Sequence, residues 1–125
     1  MTDSAMYIYV GTYTRSLPHV QAKSEGIYLL QMDPGSGAIT QVSKMPGVEN
    51  PSFLTLHPSG NYLYAANEVG DFGGKASGAV SAFAIDRASG ALTFLNQEPT
   101  DGAAPCHLSV DATGRYQPMW WPPLM

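Results

Sequence analysis

Pro51-Ser52-Phe53-Leu54-Thr55-Leu56-His57-Pro58-Ser59-Gly60-Asn61-Tyr62 returns 54 residues later as Pro105-Cys106-His107-Leu108-Ser109-Val110-Asp111-Ala112-Thr113-Gly114-Arg115-Tyr116. Both copies read as a short apolar strand, a turn closed by glycine, and the start of a further strand. Two more pairs extend the repeat outward. Tyr7-Ile8-Tyr9-Val10-Gly11-Thr12 matches Tyr62-Leu63-Tyr64-Ala65-Ala66-Asn67, and Asp33-Pro34-Gly35-Ser36-Gly37-Ala38-Ile39-Thr40 matches Asp86-Arg87-Ala88-Ser89-Gly90-Ala91-Leu92-Thr93. A repeat of ~40–50 residues made of short strands and turn residues is the signature of a β-propeller blade.

Alternation and turn residues predict strands over 6–13, 26–32, 38–45, 52–56, 61–68, 79–85, 91–96 and 105–110. The polar stretch 14–25 and the Gly-rich stretch 70–78 read as loops, and no segment has helical periodicity over ten or more residues. Residues 51–99 hold four strands, a complete antiparallel blade. Residues 6–45 hold three and lack the innermost, and 105–116 begin a third blade. After Tyr116 a strand is due, but the chain reads Gln117-Pro118-Met119-Trp120-Trp121-Pro122-Pro123-Leu124-Met125. Proline cannot donate to a sheet ladder. Residues 117–125 are therefore expected to be an aberrant tail, foreign to the fold, as a frameshift or gene truncation would leave.

Composition narrows the functional classes. Hydrophobic residues at 44% against 13% charged ones fit a globular all-β chain. A net charge of −4 argues against nucleic acid or an anionic membrane as a partner. A single cysteine, Cys106, excludes an internal disulfide and suits a reducing compartment. No segment approaches ~20 apolar residues, and a cytoplasmic location is the expectation.

Several stretches taken in order resemble the amino-terminal third of the 6-phosphogluconolactonase family of seven-bladed propeller lactonases. They are Tyr9-Val10-Gly11-Thr12-Tyr13, Gly26-Ile27-Tyr28 and Asp33-Pro34-Gly35-Ser36-Gly37; then Asn50-Pro51-Ser52-Phe53-Leu54, and His57-Pro58-Ser59-Gly60-Asn61 running on to Glu68. Gly78-Ala79-Val80-Ser81-Ala82-Phe83 and Pro105-Cys106-His107-Leu108-Ser109-Val110-Asp111 complete the set. The resemblance implies a partial β-propeller of about two of seven blades, with residues 1–116 forming the amino-terminal part of the lactonase domain. The implied reaction opens the ring of 6-phosphogluconolactone to 6-phosphogluconate, with a phosphosugar lactone as partner and no cofactor or metal. A fragment enclosing no central pocket is expected to be inactive, and its open blade faces offer a route to self-association. A muconate-lactonising cycloisomerase relative and a non-catalytic propeller that binds a partner are the alternatives.

Lactone hydrolysis needs a base for water, donors at the carbonyl oxygen and a cation for phosphate. His107 opens an innermost strand where the preceding blade has Phe53, so the repeat does not require an imidazole there. It fits either a base facing the central channel or a histidine held at a blade junction. Glu68 ends a strand at a blade mouth, as an assisting carboxylate or a solvated strand end. Asn67, Thr12 and Arg15 occupy equivalent places and form the candidate substrate-binding set, with ordinary turn and loop roles as the alternative. His57 reads as a turn residue. His19 lies in the loop and carries no motif.

Overall fold

The computed structural model describes residues 6–111 and the backbone of 116–118. Strands β1 (Met6–Val10), β2 (Gly26–Met32) and β3 (Ile39–Pro46) form one antiparallel sheet in sequence order. β4 (Pro51–Leu56), β5 (Tyr62–Asn67), β6 (Ala79–Ile85) and β7 (Leu92–Pro99) form a second sheet, again in order. β8 (Leu108–Val110) and β9 (Tyr116–Pro118) begin a third. Among the described residues a single short 3-10 turn, Phe72–Gly74, lies in the Gly-rich loop. The chain is thus all-β, a partial propeller with one three-stranded and one four-stranded blade.

The repeat is reproduced bond by bond. In the β2–β3 turn Asp33 N–H donates to Ala38 O at 2.9 Å and Gly37 N–H to Asp33 O at 2.7 Å. In the β6–β7 turn the equivalent bonds are Asp86 to Ala91 at 2.9 Å and Gly90 to Asp86 at 2.6 Å. Gly37 and Gly90 share a φ of 77°, left-handed backbone that favours glycine. A β-bulge sits between Leu29 and Leu30 in one blade and between Ala82 and Phe83 in the other, equivalent places.

Most of the expected strands recur within a residue or two. The first stops at Val10 instead of running to residue 13, because Thr12 bonds through its side chain within its own blade while Tyr13 to Arg15 bond toward the next. Thr12 Oγ1 donates to Gly26 O, and Asn50 Oδ1 accepts from the N–H of Thr14 and of Arg15. The seventh runs on to Pro99. The expected tail begins at Gln117, yet Tyr116–Pro118 pairs antiparallel with β8, Leu108 opposite Pro118. That strand occupies the place β5 takes in the preceding blade. Residues 119–125 lie outside the described part of the chain.

Two apolar clusters join the blades. Ile27, Val48, Leu63, Ala65 and Phe83 are buried together, with Tyr9, Met45, Leu54, Ile85 and Leu92 against them, filling the seam between the first two sheets. Ala66, Val80 and Leu108, with Phe53 and Tyr64, fill the seam to the third. Neighbours Ala65 and Ala66 thus face opposite seams, the period-2 alternation that makes a blade apolar on both sides. Tyr7 and Tyr9 hydroxyls reach the second blade's outer turn, donating to Ala88 O at 3.1 Å and Gly90 O at 2.6 Å. At Gly11 a Cβ would lie 2.0 Å from Pro51 O, so the first blade's exit requires a residue without a side chain.

Candidate functional site

Strand register decides which residues share a rim. Pro51 pairs with Asn67, Asn67 with Ala79, and Ala79 with Pro99; in the first blade Val10 pairs with Tyr28 and Gly26 with Pro46. The segments 11–25, 47–50, 68–78 and 100–107 therefore crowd one end of the sheets, and the hairpin turns lie at the other. All five candidate residues are on the crowded rim. His57 is at the far end, where its Nδ1 takes the Ser59 N–H at 3.0 Å within its own turn.

Glu68 is the centre of the rim. Its side chain is only 9% exposed. Oε1 accepts from the Tyr13 hydroxyl and the Ser52 hydroxyl, both at 2.8 Å, and Oε2 stands 3.2 Å from His19 Nε2. Tyr13 and Glu68 are repeat equivalents in adjacent blades, so the repeat places the two partners opposite each other. Donation to Glu68 holds the Tyr13 hydroxyl above its ordinary range, with burial and the nearby carboxylate charge adding in the same direction.

The backbone around Glu68 is fixed by Asn50, which is fully buried and sits at a φ of 41°. Its Nδ2 donates to Glu68 O at 3.0 Å, and its Oδ1 accepts from Thr14 N–H at 2.9 Å and Arg15 N–H at 2.7 Å. Sequence reading quoted Asn50 as a family residue and missed this staple. The signal was available: Asn tolerates left-handed backbone and is the residue that bridges such turns.

The remaining candidates are committed elsewhere. Asn67 Nδ2 donates to Glu49 O at 2.7 Å, and its Oδ1 accepts from Ser81 at 2.6 Å and Gln97 at 3.3 Å. Thr12 Oγ1 is spent on Gly26 O at 2.5 Å. Arg15 is clamped between Glu49 at 2.6 Å and Asp71 at 2.9 Å, and its bond to Asp71 leads the causes that raise its affinity for the proton. An anion would have to displace one of those carboxylates. This arginine stands over a polar cavity of about 390 Å³ whose walls include Asn67, Phe72 and Gln97.

His107 lies one residue before β8. Its ring stacks on Phe53, centroids 4.1 Å apart and planes at 35°, so the equivalent inner positions of two blades touch. His107 Nδ1 is buried with no hydrogen-bond partner. His19, without a motif in the sequence, is brought to Glu68 by the loop. Among the described residues no group of three or more His, Cys, Asp or Glu is placed to hold a metal ion, and no helix is long and apolar enough to cross a membrane.

A family model described as lactonase, 7-bladed beta-propeller, matches residues 7–117. The chain is 35% identical over 108 residues to a 6-phosphogluconolactonase of Bacillus subtilis (strain 168), covering 86% of this chain and 28% of that protein. It is 30% identical to a 6-phosphogluconolactonase of Formosa agariphila over 109 residues, 87% of this chain and 29% of that one. Among solved structures, a candidate 6-phosphogluconolactonase of Bacteroides fragilis superposes with a TM-score of 0.73 at 36% identity, over 88% of this chain and 28% of the other. The periplasmic gluconolactonase PpgL of Pseudomonas aeruginosa gives 0.71 at 30% identity, over 89% and 29%. The chain thus spans somewhat over a quarter of the length of these relatives. With the repeat, the blade topology and a family match over nearly its whole length, the chain belongs to the seven-bladed β-propeller lactonases.

Proposed function

We propose that this chain is the amino-terminal part of a lactonase that opens 6-phosphogluconolactone to 6-phosphogluconate. The observation that carries it is the match to the B. subtilis 6-phosphogluconolactonase across 86% of the chain. The rim geometry supports the reading. A buried carboxylate, Glu68, is held by two hydroxyls beside the His19 imidazole, the kind of groups that activate water for attack on an ester carbonyl. Arg15 is neutralised by Glu49 and Asp71, so we assign the substrate phosphate to a cation other than Arg15. On that reading these residues alone do not hydrolyse the lactone, because they supply one part of the pocket.

The test is a graft. Residues 7–111 replace the matching segment of the B. subtilis relative, and lactone opening is followed by acid release against the spontaneous rate. The graft should hydrolyse 6-phosphogluconolactone and the 125-residue chain should not. A folded graft no faster than buffer would refute the proposal, and a chain active by itself would refute its incompleteness. A cytoplasmic site of action, supported by the exposed unpaired Cys106, is testable by cell fractionation. Self-association is supported by β1, whose inner edge, where the innermost strand of a complete blade would pair, has no partner among the described strands, and sedimentation of the chain tests it.

A further inference from the structure

His19 is the one imidazole at the rim whose position is set by several independent contacts. Leu17 and Val20 exchange backbone hydrogen bonds at 2.9 and 3.0 Å, closing a tight turn with Pro18 and His19 at its tip. Proline presets the first of those two positions. The loop around the turn is tied down by Ala22 N–H donating to Ser16 Oγ at 3.0 Å and Ser24 N–H to Tyr13 O at 3.3 Å. The Tyr13 ring meets the imidazole edge-on, centroids 6.2 Å apart. His19 is 59% exposed, while the carboxylate it faces is 9% exposed. A buried acid thus backs an exposed base, the arrangement in which a carboxylate sets the tautomer and aim of a catalytic histidine.

We propose that His19 is the general base of the lactonase, with Glu68 as its positioning residue; this rests on the lactonase reading above. A small turn of the exposed ring closes the 3.2 Å approach into a hydrogen bond from Nε2–H to Glu68 Oε2. That bond leaves the lone pair on Nδ1 pointing away from the carboxylate. Nδ1 takes a proton from water as the water oxygen bonds to the lactone carbonyl carbon. The tetrahedral intermediate then collapses, the ring C–O bond breaks, and the proton on Nδ1 passes to the departing ring oxygen. One water and one lactone give one acid and one hydroxyl. His107 is not placed for this task, since its Nδ1 is buried and its ring lies against Phe53.

The arrangement makes a sharp prediction for Glu68→Gln. The Tyr13 and Ser52 hydroxyls both donate to Oε1, so the amide oxygen stays with them and the amide nitrogen turns to His19. An N–H facing Nε2 requires a lone pair there and moves the ring proton to Nδ1, where the base is needed. Nitrogen-15 correlation spectra of the 125-residue chain read this directly. The wild type should show the Nε2–H form of His19, and Glu68→Gln should convert it to the Nδ1–H form. A mixture like that of free imidazole, or one unmoved by Glu68→Gln, overturns the proposal.

In the graft, His19→Gln at an exposed site should keep the fold and KM and lower kcat about 100-fold or more. Unchanged kcat in a graft that is otherwise active overturns His19 as base and leaves the lactonase reading standing. An inactive parent graft overturns that reading and the catalytic role together, even where the spectra show the His19–Glu68 pair.

Discussion

Asn50→Ala should be among the most damaging single changes in the chain, for reasons that can be summed from the structure. Alanine removes three short hydrogen bonds, from Thr14 N–H, from Arg15 N–H and to Glu68 O, and a longer one from the Thr14 hydroxyl at 3.4 Å. At about 0.5–1.5 kcal/mol each, with the partners left partly buried, these amount to roughly 2–4 kcal/mol. The left-handed φ of 41° suits Asn and not Ala, adding about 1 kcal/mol. A total near 3–5 kcal/mol is a large share of the ~5–15 kcal/mol that holds a domain of this kind. Asn50→Asp separates the contributions. It keeps the acceptor for Thr14 and Arg15 and tolerates the backbone, but it puts an oxygen against Glu68 O, costing about 1–3 kcal/mol. Urea unfolding followed by circular dichroism should show the midpoint falling by at least about 1 M for Ala, at ordinary slopes of ~1–3 kcal/mol/M, and by less for Asp. Hydrogen exchange should find the Thr14 and Arg15 amides unprotected in the Ala variant and protected in the Asp variant. An Ala cost under about 1 kcal/mol, or equal losses for Ala and Asp, would refute the idea that this side chain staples the blades.

Ala104 is the repeat partner of Asn50 and also carries a left-handed φ, of 56°, on an exposed residue. Ala104→Asn should therefore raise the urea midpoint, by about 0.5–1 kcal/mol of stability, and a loss of stability would show that the strain is not relieved by side-chain type. Phe83, fully buried in the seam between the first two blades, should cost about 3–5 kcal/mol as Phe83→Ala, read by the same unfolding experiment. Tyr9, Tyr13 and Tyr64 all hold their protons more tightly folded than the ordinary value of 10.0; burial leads for Tyr9 and Tyr64, and the bond to Glu68 for Tyr13. The unfolded chain therefore loses these protons first. The stability they confer is whole below about pH 10 and is lost as pH rises through the raised values. Unfolding midpoints from pH 8 to 11 should fall above pH 10, less steeply in Tyr13→Phe. A rise with pH, or an identical fall in Tyr13→Phe, would contradict this.

The 54-residue repeat was enough to give the blades, their strand order and the positions of their turns, because each blade is built from local hairpins whose turn residues act over a few positions. Asp33-Pro34-Gly35-Ser36-Gly37 and Asp86-Arg87-Ala88-Ser89-Gly90 form the same bonds for the same local reason. The repeat also put Glu68 at a blade mouth and singled out His107 against Phe53. It went astray where bonds cross between blades. The first strand ends early because Tyr13, Thr14 and Arg15 are drawn to Glu68 and Asn50 toward the next blade, and the Arg15 side chain pairs with Glu49 and Asp71 in the loops there. His19 shows the division most plainly. A turn at Pro18 is legible in the sequence, but nothing local says that its tip reaches a carboxylate 49 positions further on. Sequence by itself determined the fold, since periodicity and turn chemistry act between near neighbours. Only the tertiary structure decided which polar groups are free to do chemistry, because burial and pairing are set by blades that meet across long stretches of chain.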